Sequence, residues 1–342
     1  MSKAYDVVVV GGGHNGLVCA AYLARAGKKV LVAEARESVG GLAEGGEVHP
    51  GFHSPGPLSD ASRFRAKVVK DLGLERYGLK LGAKPDVMAV VGAGGRVLLS
   101  SDMSATEQSI AAVSKKDAQR YGDFRKFVDA VSPVLRKFTD GAPLDLVNIE
   151  SEAKLGLLKR ALGVRRLGRA RMMELFRVAP MSAYDWTGEY FEAGVLRAGL
   201  VLPAIAQTYA PPRAPGTAAN VLISQGGAEL NVHGGAKAVI AALKKACDEL
   251  GVAIETGRAV EAVRVDGYRA TGVQFAGGDE VDASAVVCSG DPKTALLQLV
   301  PRGALPATTE QRMDNWRARG TIAHLALAVE SEVELGDGAG RL

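Results

Sequence analysis

Paired cysteines are missing from this chain. Its 342 residues hold three, Cys19, Cys247 and Cys288, an odd number with no C-x-x-C pair. That excludes a disulfide framework and fits free thiols in a reducing compartment. Aromatic residues are only 5% of the total and the net charge is a mild +4. Stacking platforms for single-stranded nucleic acid need more aromatics than that, so no nucleic-acid partner is expected. Long apolar runs are also missing. Residues 7–10 stop at Gly11, too short for a secretory signal, and residues 198–210 are interrupted by Pro203 and fall short of the ~20 needed to span a bilayer. The chain therefore reads as cytoplasmic, or peripheral at a membrane. No H-E-x-x-H and no G-x-S-x-G occurs, so metalloprotease and serine-hydrolase chemistry have no support. His49 and His53 are four apart, but Pro50 and Gly51 between them rule out a shared helix, and no metal site is expected.

What is present is glycine, 42 residues of it, well above the average of about 7%. Hydrophobic residues at 47% and charged residues at 23% are ordinary for a globular chain. At roughly 150 residues per domain, the length predicts about two domains.

Residues 4–10 read as a buried strand, 11–16 as a glycine turn, 17–25 as a helix ended by Gly27, and 29–34 as a second strand. This is a β-α-β unit. Residues 35–60 read as mostly loop and 65–72 as a short helix. Residues 80–101 alternate like strands around a turn at Gly92–Gly95. Residues 104–138 read as largely helical, with an S/T-x-x-E start at Ser104–Glu107. The proline-rich stretch 203–216 reads as a segment boundary. A helix over 236–250, ended by Gly251, precedes strands at 252–255, 259–265, 270–275 and 283–288, with turns at Asp266-Gly267 and Gly277-Gly278. Between these lies a basic helical region, 152–179. Lys154, Lys159, Arg160, Arg165, Arg166, Arg169 and Arg171 have no acid among them, and Leu155, Leu158, Leu162 and Leu167 are interleaved. A solvated helix face, a membrane-surface patch and a partner contact all fit that pattern.

Three motifs carry chemistry. Gly11-Gly12-Gly13-His14-Asn15-Gly16 contains G-x-G-x-x-G between a strand and a helix. Gly11 permits the turn, Gly13 lets a pyrophosphate approach the backbone, and Gly16 lets the helix pack on the strand. The helix N-terminal amides then face the phosphates. For His14, local hydrogen bonding is favoured over catalysis. Glu34 ends the second strand at the spacing where a carboxylate accepts the ribose hydroxyls, and it would repel a 2′-phosphate. Arg36 and the pair Gly40-Gly41 follow, bringing a second stretch of backbone and a positive charge toward the diphosphate.

Residues 6–27, with their His14-Asn15-Gly16-Leu17 turn, and the run Glu34-Ala35-Arg36 to Gly40-Gly41 resemble the phytoene desaturase-like FAD-dependent oxidoreductases. The similarity is greatest to the branch named for pyridine nucleotide-disulfide oxidoreductase domain-containing protein 2. Residues 181–192 and 284–292 are similar to that branch as well. The resemblance implies a mixed α/β, two-domain flavoprotein, with a Rossmann-like FAD domain carrying a β-meander and a mixed substrate domain of the amine-oxidase type. The implied segments are FAD domain 1–75, substrate domain 76–224, FAD domain 225–298, and the start of a second substrate segment at 299–342. FAD would be held by Gly11, Gly13, His14, Asn15, Gly16, Glu34, Ala35, Arg36, Gly41, Leu42 and the backbone of Val260, with residues 50–57 running toward the flavin. A small hydrophobic substrate, polyene or lipid-like, would exchange hydride with flavin N5, with no catalytic acid or base singled out. Family members carry a third, glycine-rich FAD segment near the C-terminus. This chain ends at residues 336–342 without one, so a C-terminal truncation is expected. A flavin amine oxidase and a non-catalytic flavoprotein fragment remain the alternatives. An NAD-dependent dehydrogenase is opposed by Gly40-Gly41 and the late meander, and disulfide chemistry by the unpaired cysteines.

Overall fold

The first strand, β1 (Ala4–Val10), is an interior strand with a parallel neighbour along each edge, and its valines alternate between two cores that bury its faces. A computed structural model describes residues 4–82, 87–92, 94–139, 151–206, 208–225, 230–317 and 323–330. The expected chain end at 336–342, Ala93 in the predicted turn and the side chain of Leu155 lie outside the described residues. Contacts divide the chain into two units. One comprises Met1–Lys84, Ala228–Ala318 and His324–Ala328, and the other comprises Pro85–Gly227, Arg319–Ala323 and Val329–Leu342.

In chain order, the first unit begins with β1, α1 (His14–Arg25), β2 (Val30–Ala33), β3 (Gly46–His49), β4 (Phe52–Ser54) and α2 (Ala66–Leu72). The second unit supplies β5 (Val87–Gly92), β6 (Gly95–Ser100), α3 (Met103–Ala111), α4 (Lys115–Thr139), α5 (Ser151–Arg165), α6 (Arg169–Val178), α7 (Ala183–Tyr190), α8 (Gly194–Ile205) and α9 (Thr217–Gln225). The chain then returns to the first unit with α10 (Gly235–Glu249), β7 (Ala253–Glu255), β8 (Val260–Asp266), β9 (Arg269–Phe275), β10 (Glu280–Cys288), a π-helical turn (Thr294–Leu299) and α11 (Ala307–Asn315).

The first unit is built on a sheet of order β7-β2-β1-β10-β9-β8. Its first four strands run parallel, while β9 pairs antiparallel with both β10 and β8. This mixed α/β sheet with its β8-β9-β10 meander is the expected Rossmann-like fold. Alternate residues feed two cores, as the period of two requires. Val7, Val9, Val30 and Val32 face Leu17 of α1 and Leu243 of α10. Val8, Leu31 and Ala33 face Val273 and Phe275. Burying one such aliphatic side chain contributes about 1.5–3 kcal/mol.

Several local expectations are corrected. Residues 35–60 are not all loop, because β3 and β4 form a hairpin. Its tight end is held by the Gly51 N–H donating to Glu47 Oε1 (2.8 Å), with Gly51 at φ +81°. His49 and His53 lie on its opposite strands. The stretch 104–138 is largely helical, as expected, but is divided into two helices. The cap of α3 is Asp102, whose Oδ1 accepts from Ala105 N at 3.1 Å, two residues before the predicted Ser104. The chain then breaks at Ser114, whose Oγ accepts Asp117 N at the start of α4. Pro203 does not end α8. Burial of Val201 and Ile205 offsets the ~3 kcal/mol cost of an interior proline. The stretch 203–216 is thus not a boundary but lies within the second unit.

That unit packs around Trp186, Phe124 and Phe191, with Phe124 5.2 Å from each of the other two ring centroids. Among its fully buried polar groups is Asp117. The Asp117 carboxylate accepts Glu192 N at 3.0 Å and Ala193 N at 2.8 Å, so a side chain of α4 caps the otherwise uncapped start of α8. Asp117→Ala strands both N–H groups and is expected to cost about 2 kcal/mol of stability. Urea denaturation measures it, and an unmoved midpoint contradicts it.

Candidate functional site

The carboxyl ends of β1, β2 and β10 converge on one place in the first unit, the position where open α/β sheets bind ligands. The glycine turn leaves β1 there. Gly11 N donates to Ala33 O at 2.8 Å, which ties the turn to the end of β2. Gly11 has φ +100°, which favours glycine. Gly13 caps α1 in an extended conformation and no side chain occupies the cap. The first-turn N–H groups are therefore not consumed by a capping side chain. Gly16 is buried beneath the turn, where a Cβ would stand 2.0 Å from Gly11 O. The helix can sit this close to the strand only because residue 16 has no side chain.

Glu34 is 8% exposed. Its Oε2 accepts Gly12 N at 2.7 Å and its Oε1 accepts Arg36 N at 3.0 Å. Its backbone is clamped as well, with Glu34 N donating to Glu255 O and Arg258 N donating to Glu34 O. The carboxylate is thus locked in place, and each oxygen retains acceptor capacity for a ligand hydroxyl. The second glycine pair closes on the first turn. Gly40 N donates to Gly12 O at 2.9 Å, and Gly13 and Gly40 form a parallel bridge. A Cβ on Gly41 would lie 3.2 Å from the Gly13 Cα. Arg36 is exposed and donates from Nη1 to Gly41 O at 3.2 Å, which places its charge beside this double turn.

The elements enclose a cavity of about 500 Å3, within the ~300–1,000 Å3 range of small-molecule sites. Of the expected residues, Gly11, Gly13, His14, Asn15, Glu34, Arg36, Gly41 and Leu42 line it. Gly16 acts from below. Ala35 is exposed and does not line the cavity. Nor does Val260, which opens β8 two residues beyond the Arg258 N–H on Glu34. Burial lowers the His14 pKa, which favours its neutral imidazole.

Ser289, Gly290, Asp291 and Thr294 also line the cavity, the first three within the stretch 284–292 that resembles the same family branch. Ser289 does the most. Its Oγ donates within reach of Gly11 O (3.0 Å) and Val10 O (3.2 Å), and its N–H donates to Val10 O. It pins the glycine turn from the end of β10. Its sequence signals are its place directly after an apolar strand and inside that similar stretch, and neither gives it a role. Cys288 lines the same cavity, but burial raises its thiol pKa, as it does for Cys19 and, to about 12, for Cys247. All three cysteines are free thiols.

A glycine cradle that Cβ atoms would fill, uncapped helix amides and a locked carboxylate fit the adenosine diphosphate half of FAD. Comparison with known families decides the assignment, since the model of the flavin containing amine oxidoreductase family matches residues 16–337. The chain belongs to that family.

FAD is the cofactor of flavin containing amine oxidoreductases, and the residues above are those that would hold it. Among curated family relatives, the chain is 29% identical over 352 residues to pyridine nucleotide-disulfide oxidoreductase domain-containing protein 2 of Mus musculus, covering 96% of this chain and 61% of that protein. It is 28% identical over 316 residues to hydroxyneurosporene desaturase of Cereibacter sphaeroides, covering 90% of this chain and 60% of that protein. The chain therefore spans about three fifths of the length of these relatives. A triple mutant of putrescine oxidase superposes with a TM-score of 0.58 at 18% identity, covering 92% of this chain and 64% of that one. That likeness bears on the fold alone.

Proposed function

We propose that this chain is the FAD-holding portion of an oxidoreductase that exchanges hydride between a hydrophobic, polyene- or lipid-like substrate and flavin. The observation that carries the redox part is Glu34, locked by Gly12 N and Arg36 N at the mouth of the glycine cradle. Bound FAD supplies the redox centre, accepting or donating hydride at N5, and the protein supplies position and dryness. Glu34 orients the ribose, the Gly13 and Gly41 backbones admit the diphosphate, and Arg36 offsets its charge. The substrate class rests on the likeness to a hydroxyneurosporene desaturase and on no residue role. Anaerobic mixing of the FAD-loaded chain with a polyene hydrocarbon is expected to bleach the flavin, and mixing with putrescine is not. Bleaching by putrescine alone would move the reading to an amine oxidase.

A peripheral membrane contact through residues 154–171 is part of this proposal. No described helix is long and apolar enough to cross a membrane. Leu158 and Leu162 are exposed one turn apart on α5, with Lys154 and Arg166 continuing the same stripe. Exposed Met173 and Phe176 follow on α6. Apolar side chains flanked by cations suit an anionic lipid surface. Co-sedimentation with vesicles rich in phosphatidylserine is expected, and Leu158→Asp with Leu162→Asp is expected to reduce it at least fivefold. Equal sedimentation of the variant contradicts the contact.

A further inference from the structure

The helix α8 is apolar on two sides. Its inner side buries Val195, Leu196 and Leu200 in the aromatic core, and Gly199 lies so close to β5 that a Cβ there would be 2.6 Å from Val90. An ordinary surface helix would present charge on the other side. Here that side is formed by Gly194, Arg197, Ala198 and Leu202 together with Val201 and Ile205, which also belong to the aromatic core, at the i, i+3, i+4 spacing of one helical face and with a single charge among them. Tyr184 and Thr187 of α7 and Pro212 wall this face into a cavity of about 300 Å3 within the second unit. Leu202 lines it while 55% exposed, so the cavity opens to solvent with an aliphatic lining.

One end is positive. The Arg197 guanidinium lies 4.3 Å from the Tyr184 ring centroid and that of Arg213 lies 3.5 Å from it. Arg197 is held in place by Nη2 donating to Tyr184 O and Nε donating to Thr187 Oγ1 at 3.4 Å. Among the described residues, neither arginine forms an ion pair with a carboxylate. Arg197 thus lines the aliphatic cavity with no counter-ion from those residues, while Arg213 stacks on the same Tyr184 ring without lining the cavity. Guanidinium groups match carboxylates in geometry and charge.

We propose that the second unit binds an elongated apolar molecule ending in a carboxylate, the chemistry of a medium-chain fatty acid. The carboxylate sits at Arg197, and the tail lies along Ala198, Val201, Leu202 and Ile205. From Arg197 to Ile205 the helix rises ~12 Å, a length suited to an acyl chain of that class. Binding there needs no flavin and stands apart from the redox reading.

Calorimetric titration of the whole chain with dodecanoate, and separately with 1-dodecanol, tests it. Dodecanoate is expected to bind at least tenfold tighter than the alcohol. Ala198→Phe, which fills the cavity, and Leu202→Glu, which places a carboxylate at an exposed position in it, should each weaken dodecanoate at least tenfold. Leu202→Glu decides alone if Ala198→Phe fails to fold, because an exposed site tolerates the charge. Absence of dodecanoate binding, equal binding of the two ligands, or wild-type affinity in a folded Leu202→Glu protein overturns the proposal.

Discussion

Gly16→Ala is expected to abolish FAD binding. The residue does not have a left-handed backbone, so the objection to a side chain is purely steric. The new Cβ would stand 2.0 Å from the Gly11 carbonyl oxygen and 2.9 Å from Ser289 Oγ. Gly11 cannot simply rotate away, because its N–H is bound to Ala33 O and its carbonyl oxygen lies within reach of Ser289 Oγ. The start of α1 must therefore lift off β1, which spoils the amide cradle that the diphosphate needs. Overpacking commonly costs about 1–3 kcal/mol, and a clash with fixed backbone belongs at the upper end. Gly46→Ala is the control, since nothing lies within 4 Å of a Cβ there and the backbone is extended. The flavin-to-protein absorbance ratio of the purified variants reads the result. A Gly16→Ala protein carrying FAD at the wild-type ratio would contradict the close-packing account.

Glu34→Ala is expected to weaken FAD at least 100-fold, about 2.7 kcal/mol. Two losses combine. The Gly12 and Arg36 N–H groups lose their acceptor, and an orphaned buried donor costs roughly 1–3 kcal/mol. The ribose hydroxyls lose theirs as well. Glu34→Gln keeps the shape and one acceptor oxygen. It puts an amide N–H against a backbone N–H on one side, so it should fall between Ala and the native residue. Fluorescence titration with FAD orders the three. An affinity for Glu34→Ala within threefold of native would remove Glu34 from the site.

The parts of this site readable in the sequence are those written in local chemistry. A strand of valines, a glycine turn and a carboxylate at fixed spacing specify a β-α-β dinucleotide unit, and the Gly40 N–H on Gly12 O shows why the second glycine pair belongs to it. The meander was equally legible, because Asp266-Gly267 and Gly277-Gly278 punctuate alternating apolar runs. The role of Ser289 was not legible, although its stretch 284–292 resembled the family. Its hydroxyl contacts Gly11 across 278 positions of sequence, a pairing created by β10 lying beside β1. Asp102 displaced Ser104 as the cap of α3 because both residue types can fill that role and only geometry chooses between them. Pro203 misled for a related reason, since the tertiary burial of α8 outweighs a local breaker.

The central claim is that the first unit of this chain holds FAD in the cradle closed by Gly41, Glu34 and Ser289. The visible absorption spectrum of the purified, folded chain after incubation with FAD and removal of free flavin tests it most directly. The account predicts the two flavin bands at one flavin per chain, shifted from those of free FAD. A folded chain, verified by circular dichroism, that emerges colourless would contradict it.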